Sequence, residues 1–180
     1  KTTILGGFWV NGKQNVKIEQ LCASGYGLYC HGSGTNVDVT ECRFTKSKDD
    51  GVSVDNGAIV TATRCDVMEN SEGGVRVEFA NTKVTLNECT IHHNGHFGLV
   101  ADIHAVVDLH GTTTNIHSNE GNGISASRNA KISIHLPFQH NTSHGNGEDR
   151  EQANGGSIAN INADGTFTHV EDVDTDDYDY

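Results

Sequence analysis

The sequence predicts an all-β protein, a right-handed parallel β-helix of about seven coils, each of about 23 residues with three short strands. Three observations carry that prediction. Gly7, Gly27, Gly51, Gly74, Gly98, Gly123 and Gly156 each open a similar short phrase, at spacings of 20, 24, 23, 24, 25 and 33 residues. A second alternating segment follows within each repeat: Val16-Lys17-Ile18, Val37-Asp38-Val39, Ile59-Val60-Thr61-Ala62, Val84-Thr85-Leu86, Val107-Asp108-Leu109 and Ile132-Ser133-Ile134. A third places Phe44, Val67, Ile91, Ile116 and Phe138 at matching positions. Alternation with period two marks strands with one buried face. Coils of this length stack, with equivalent residues about 4.8 Å apart. Parallel crossovers are right-handed in about 98 % of cases, which sets the hand. Helical repeats would need apolar residues three and four apart, and a leucine-rich horseshoe would need its Leu and Asn consensus; the chain has neither.

Composition fits one domain over residues 1–170, with a polar loop excursion at about 142–155 and an acidic tail over 171–180. Only 34 % of the 180 residues are apolar, and 21 are glycine. The net charge of -12 argues against a nucleic-acid partner, whose phosphates this surface would repel. No run of 18 apolar residues could form a membrane-spanning helix. Thr2-Thr3-Ile4-Leu5 enters a coil with no amphipathic cap before it, so further sequence, another subunit or a protein partner is expected against Lys1.

Two ladders are expected inside the rod. Cys42, Cys65 and Cys89 share one column with Leu21, Thr114 and Leu136, and without CxxC pairs they read as small buried hydrophobes. Five residues on, Ser47, Asn70, Asn94, Asn119 and Asn141 form a second column. Asn in a turn bonds the backbone of the next coil and tolerates left-handed φ, so this column reads as a stacked amide ladder. The sequon Asn141-Thr142-Ser143 would then be buried.

Glycine-led coils, an inward Cys stack and an Asn turn ladder resemble the right-handed parallel β-helix superfamily of pectate-lyase-like proteins, over roughly residues 2–170. The resemblance implies the architecture. It leaves activity open, because the superfamily holds lyases, hydrolases, epimerases, adhesins and non-catalytic domains. Of the polygalacturonase-type motifs only Asp49-Asp50 and Gly95-His96-Phe97-Gly98 come near, and the Asn-Thr-Asp and Arg-Ile-Lys are missing. The uronan-epimerase run and the base-plus-calcium cluster of pectate lyases are missing too.

Outward positions of the glycine-led strands make one flat face. Its second column reads Trp9, Tyr29, Ser53, Arg76, Val100, Ser125; its fourth reads Asn11, His31, Asp55, Glu78, Asp102, Ser127, Asn160. Asp55, Glu78 and Asp102 stack as like charges, which repel by roughly 3–4 kcal/mol at an effective dielectric near 20. Arg76, a bound calcium or a proton retained on Glu78 would offset this. Asp55, Glu78, Asp102 and Arg76 are therefore the catalytic candidates, and the three carboxylates the candidate calcium ligands; no other cofactor is implied. Trp9, Tyr29, Asn11 and His31 are the candidate ligand-binding residues, since exposed aromatics beside polar groups suit the apolar faces and hydroxyls of a sugar.

Of the 11 histidines, four crowd one edge, His92 aligning with His117 and His93 with His140. Asp172, Asp174 and Asp176 mimic a calcium loop but lack its Gly and closing Glu. Thr61, Thr63 and Thr85 are too few for an ice-binding array. The functional expectation is a non-catalytic β-helix scaffold or binding module, presenting a glycan-binding face within a larger chain or assembly. The alternative is a polysaccharide lyase, hydrolase or epimerase working through the acidic column.

Overall fold

Val, Ile and Thr recur at the strand positions, and their branched side chains favour the extended backbone. The computed structural model describes residues 2–135 and 142–169, and the chain winds through about six turns of parallel strands. Three faces result. The first carries Thr2–Asn11, Leu21–His31, Val52–Asp55, Val75–Glu78, Leu99–Asp102, Asn122–Ala126 and Glu148–Gln152. The second carries Val16–Glu19, Asn36–Thr40, Ile59–Thr63, Lys83–Asn87, Val106–His110, Lys131–Ile134 and Ser157–Ile161. The third carries Arg43–Thr45, Asp66–Met68, Thr90–His92, Asn115–His117 and Ser143–His144. Leu21–His31 is long enough to serve two faces: Cys22–Ser24 pairs with Arg43–Thr45, and Leu28–His31 with Val52–Asp55. Among the described strands one pairing is antiparallel, Phe167–His169 against Ser157–Ile161.

Corners are made by left-handed residues. Glu41, Arg64 and Glu88 have φ of 53°, 50° and 54°, and each precedes an inward Cys. Glu69, His93 and Ser118, at 54°, 53° and 55°, each precede a ladder Asn. The sequence reading put the left-handed turn on the Asn itself. It falls one residue earlier, and that turn aims the Asn side chain into the rod.

The ladder then satisfies the backbone at each corner. Asn70 Nδ2 donates to Asn94 Oδ1 (2.9 Å), and Asn94 Nδ2 to Asn119 Oδ1 (2.8 Å). The same oxygens accept the backbone N–H of Asn70 and Asn94. Asn119 Nδ2 donates next to Asn146 Oδ1 at 2.8 Å, so the following rung is Asn146. Asn141, expected there, lies outside the described residues, as do Leu136, Phe138, His140 and the acidic tail. Since buried amides are costly when unpaired, these shared oxygens stabilise the corners.

Inside, like stacks on like. Val37, Val60, Val84, Val107, Ile132 and Ile158 form one buried column, and Phe44, Val67, Ile91 and Ile116 another. Each such side chain contributes about 1.5–3 kcal/mol on burial. Cys42, Cys65 and Cys89 are buried free thiols in their own column, each within 3.6 Å of carbonyl oxygens of its own and the preceding coil. The anchor glycines mark where coils touch. A Cβ on Gly98 would stand 2.5 Å from Ile116 Cγ2 and 2.6 Å from the Gly123 oxygen. Gly27 has φ +62° besides, and its Cβ would strike the Gly51 oxygen.

The C-terminal coil departs from expectation. The polar stretch read as a loop contains Ser143–His144 on the third face and Glu148–Gln152 on the first. Arg150 sits in register with Ile124, at the inward position, and its Nη1 donates to Asn160 Oδ1 at 2.8 Å. Polar residues thus cover the end of the apolar stack, and an all-polar strand carries no period-two signal. Counting from Gly156 places the phrase after it on the first face. Ser157–Ile161 instead lies on the second, beside Lys131–Ile134, and Asn160 is fully buried rather than in the outward column. Alternation tells which side chains point inward, but not which wall the strand stands on.

Candidate functional site

On the first face the strands run in the expected register. Trp9 pairs with Tyr29, Tyr29 with Ser53, Ser53 with Arg76, and Arg76 with Val100. Asn11, His31, Asp55, Glu78 and Asp102 follow one another in the same way two residues on.

The carboxylates of that column have separate partners. Asp55 accepts from the Tyr29 hydroxyl (2.8 Å) and lies 2.5 Å from His31 Nδ1. Burial pushes the Tyr29 pKa up to about 12, helped by the bond to Asp55 and by the charges of Asp55 and Glu78, so the phenol stays a donor. Burial also raises the Cys30 thiol to about 12, with Asp55 adding to it, which leaves Cys30 unreactive. Glu78 lies 3.7 Å from Arg76 Nη1. Arg76 is committed elsewhere: its Nε donates to Asp50 Oδ2 at 2.6 Å and its guanidinium lies 4.5 Å from the Phe97 ring centre. Burial pulls the Arg76 pKa down, but the bond to Asp50 and the fields of Glu78 and Glu72 outweigh it, so it stays charged.

Asp102 is 5 % exposed and fully engaged. Both of its oxygens meet Arg128, Ser127 Oγ donates at 2.8 Å, and the Ile103 N–H donates at 2.9 Å. The Arg128 bond, more than any other influence, holds its carboxyl below the usual range, against the opposing effect of burial. Protein cations and donors therefore offset the stacked negative charge. Among the described residues no group of three or more His, Cys, Asp or Glu is arranged to hold a metal ion.

The concave feature lies at the N-terminal end of the same face. A groove of about 600 Å³ is lined by Gly7, Phe8, Trp9, Tyr26, Tyr29, Asp49, Asp50 and Ser53, with Leu28 at its floor. Trp9 and Tyr26 are 75 % and 66 % exposed, unusual for rings of that size. The Trp9 and Tyr29 rings meet edge to face, 5.6 Å between centres at 65°. Of the expected ligand residues, Trp9 and Tyr29 meet in this groove. Asn11 and His31 do not line it; they lie two residues further along their strands.

Tyr26, Asp49 and Asp50 are groove residues that column reasoning missed. Tyr26 is the extra residue of a bulge, since Gly6 pairs with Gly25 and Gly7 with Gly27. Bulges re-aim a side chain. Asp49 and Asp50 sit just before the anchor Gly51, off the strand columns. A signal did exist in the sequence. Tyr29 and Asp55, Asp50 and Arg76, and Asp102 and Arg128 are each 26 residues apart, slightly more than one coil.

A second cluster stands on the third face. His92, His117 and His144 stack nearly parallel, with centres 5.0 and 5.4 Å apart. His93 meets His92 edge-on, and His92 Nε2 lies 3.0 Å from Asp66 Oδ1. Burial lowers the His117 pKa, and the neighbouring His92, His144 and His93 lower it further. His144 takes the place in this stack next to His117, because Ser143–His144 is a strand where the polar sequence predicts a loop.

Parallel coils, a shared-oxygen Asn ladder and an open outward groove define a parallel β-helix protein. The pattern of the right handed beta helix region family matches residues 4–146, and the chain belongs to that family. Searches of curated proteins and of solved structures gave no match. No helix among the described residues is long and apolar enough to cross a membrane.

Proposed function

We propose that this chain is a non-catalytic β-helix module that binds a glycan in the groove on its first face. One observation carries the reading: four aromatic rings and two carboxylates line a groove of about 600 Å³. That volume falls in the usual range for small-ligand sites, and exposed rings stack on the C–H faces of sugars while carboxylates accept from hydroxyls. The state of the acidic column supports binding over catalysis. Asp102 is tied up by Arg128, and Asp55 by Tyr29 and His31. A general acid or base needs a proton it can exchange with substrate.

Calorimetric titration against a panel of neutral, acidic and amine-bearing oligosaccharides tests this. Trp9→Ala should lower affinity at least about ten-fold without altering the melting temperature, because the ring is exposed and packs little. Unchanged binding would remove the groove from the account. A polysaccharide-acting enzyme remains the second reading, favoured by the 2.5 Å His31–Asp55 pair, a His–carboxylate arrangement of the kind used in general acid–base catalysis. New reducing ends or unsaturated uronate from the same panel, lost in His31→Ala, would favour it.

A further inference from the structure

We propose that the groove selects a glycan bearing free primary amines, a glucosamine-type oligosaccharide, over acetylated and uronate-type chains. The inference rests on the glycan reading above and specifies its ligand. Two carboxylates line the groove, and they differ in kind. Asp50 is spent: it accepts from Arg76 Nε at 2.6 Å and from the Gly73 N–H at 2.8 Å. Asp49 is exposed. Its main chain is held by Ser47 Oγ and the Glu72 N–H, but no hydrogen bond or ion pair among the described residues engages its carboxylate. An unpaired anion on the wall of an aromatic groove suits a cation, since ring faces attract ammonium groups as well.

A resident cation already approaches one of these rings. Lys48 Nζ lies 5.7 Å from the centre of the Tyr26 ring. A ligand ammonium would find Trp9 and Tyr29, whose ring planes differ by 65°, and the Asp49 charge in the same groove. The surroundings point the same way. Asp55 and Glu78 continue along the face, Arg76 is neutralised by Asp50, and no Lys or Arg lines the groove among the described residues. With a net charge of -12 over the chain, a polyuronate meets repulsion at long range and a polyamine meets attraction.

The test is titration of short glucosamine, N-acetylglucosamine and galacturonate oligomers at about pH 6, below the range of free amino groups. The amine oligomer should bind about five-fold tighter than its acetylated form, the worth of one ion contact near water. Asp49→Asn should bring that ratio to about one, and Lys48→Met should widen it. High salt should narrow it, because the charges are exposed. Equal affinity for amine and acetylated oligomers, or a preference for galacturonate, would overturn the amine selectivity while leaving glycan binding intact. No binding of any oligomer would overturn both.

Discussion

The two ends of the first face behave differently although their strands share one register. At the C-terminal end Asp102 is buried and held by Arg128, Ser127 and Ile103. At the N-terminal end the rings of Trp9 and Tyr26 stand in solvent, and Asp49 keeps an unengaged carboxylate among the described residues. Being in the column sets the direction of a side chain. Residues at the corners, one step off the column, decide whether it is available. Arg128 is such a corner residue, with φ 46°, and it closes one end; the bulge residue Tyr26 and the corner residue Asp49 line the other.

That contrast can be broken by substitution. The largest effect is expected from Asp102→Ala, which should cost about 2 kcal/mol in chemical denaturation, the worth of hydrogen bonds to a buried charge. Its pH dependence has a definite sign. The folded carboxyl of Asp102 titrates below its unfolded value, so its contribution is present above about pH 4 and is lost as pH falls through the folded pKa. The acid limb of the wild-type stability curve should flatten in the variant.

Tyr29→Phe, midway along the face, should cost about 1 kcal/mol by removing the bond to Asp55. It should also remove the last tyrosinate absorbance to appear on alkaline titration, since the group held near pKa 12 is gone. A smaller effect is expected from the histidine stack. The folded His117 pKa is lowered, so its contribution is complete above about pH 6.5 and declines as pH falls toward the folded value. Asp66, Arg43 and Ser118 are its charged and polar surroundings, through His92 and its own Nδ1. Melting temperatures taken from pH 7.5 to 5 should fall less in His117→Leu than in the wild type. Smallest of all, Asp49→Ala should change stability by no more than about 0.5 kcal/mol, because it is an exposed corner residue. A loss comparable to that of Asp102→Ala would erase the distinction between the two ends.

The outward columns were legible because coil period and strand alternation are local. Trp9, Tyr29, Asp55, Glu78 and Asp102 stand where counting from each glycine puts them. Their partners were not legible in the same way. Arg128 and Asp50 lie in corners, where counting along the strand fails. Tyr26 needed a bulge that no alternation announces, and the rung at Asn146 needed a strand made wholly of polar residues.

By itself, then, the sequence determined that this chain is a parallel coil, which side chains its middle windings bury, and which share an outward line. Those properties follow from repetition, and repetition survives in one dimension. Only the tertiary structure decided which carboxylates are bound by cations, where the groove opens and which wall receives Ser157–Ile161. Each depends on side chains about one winding apart meeting at a corner, a distance of a few ångströms in space but about 26 residues along the chain.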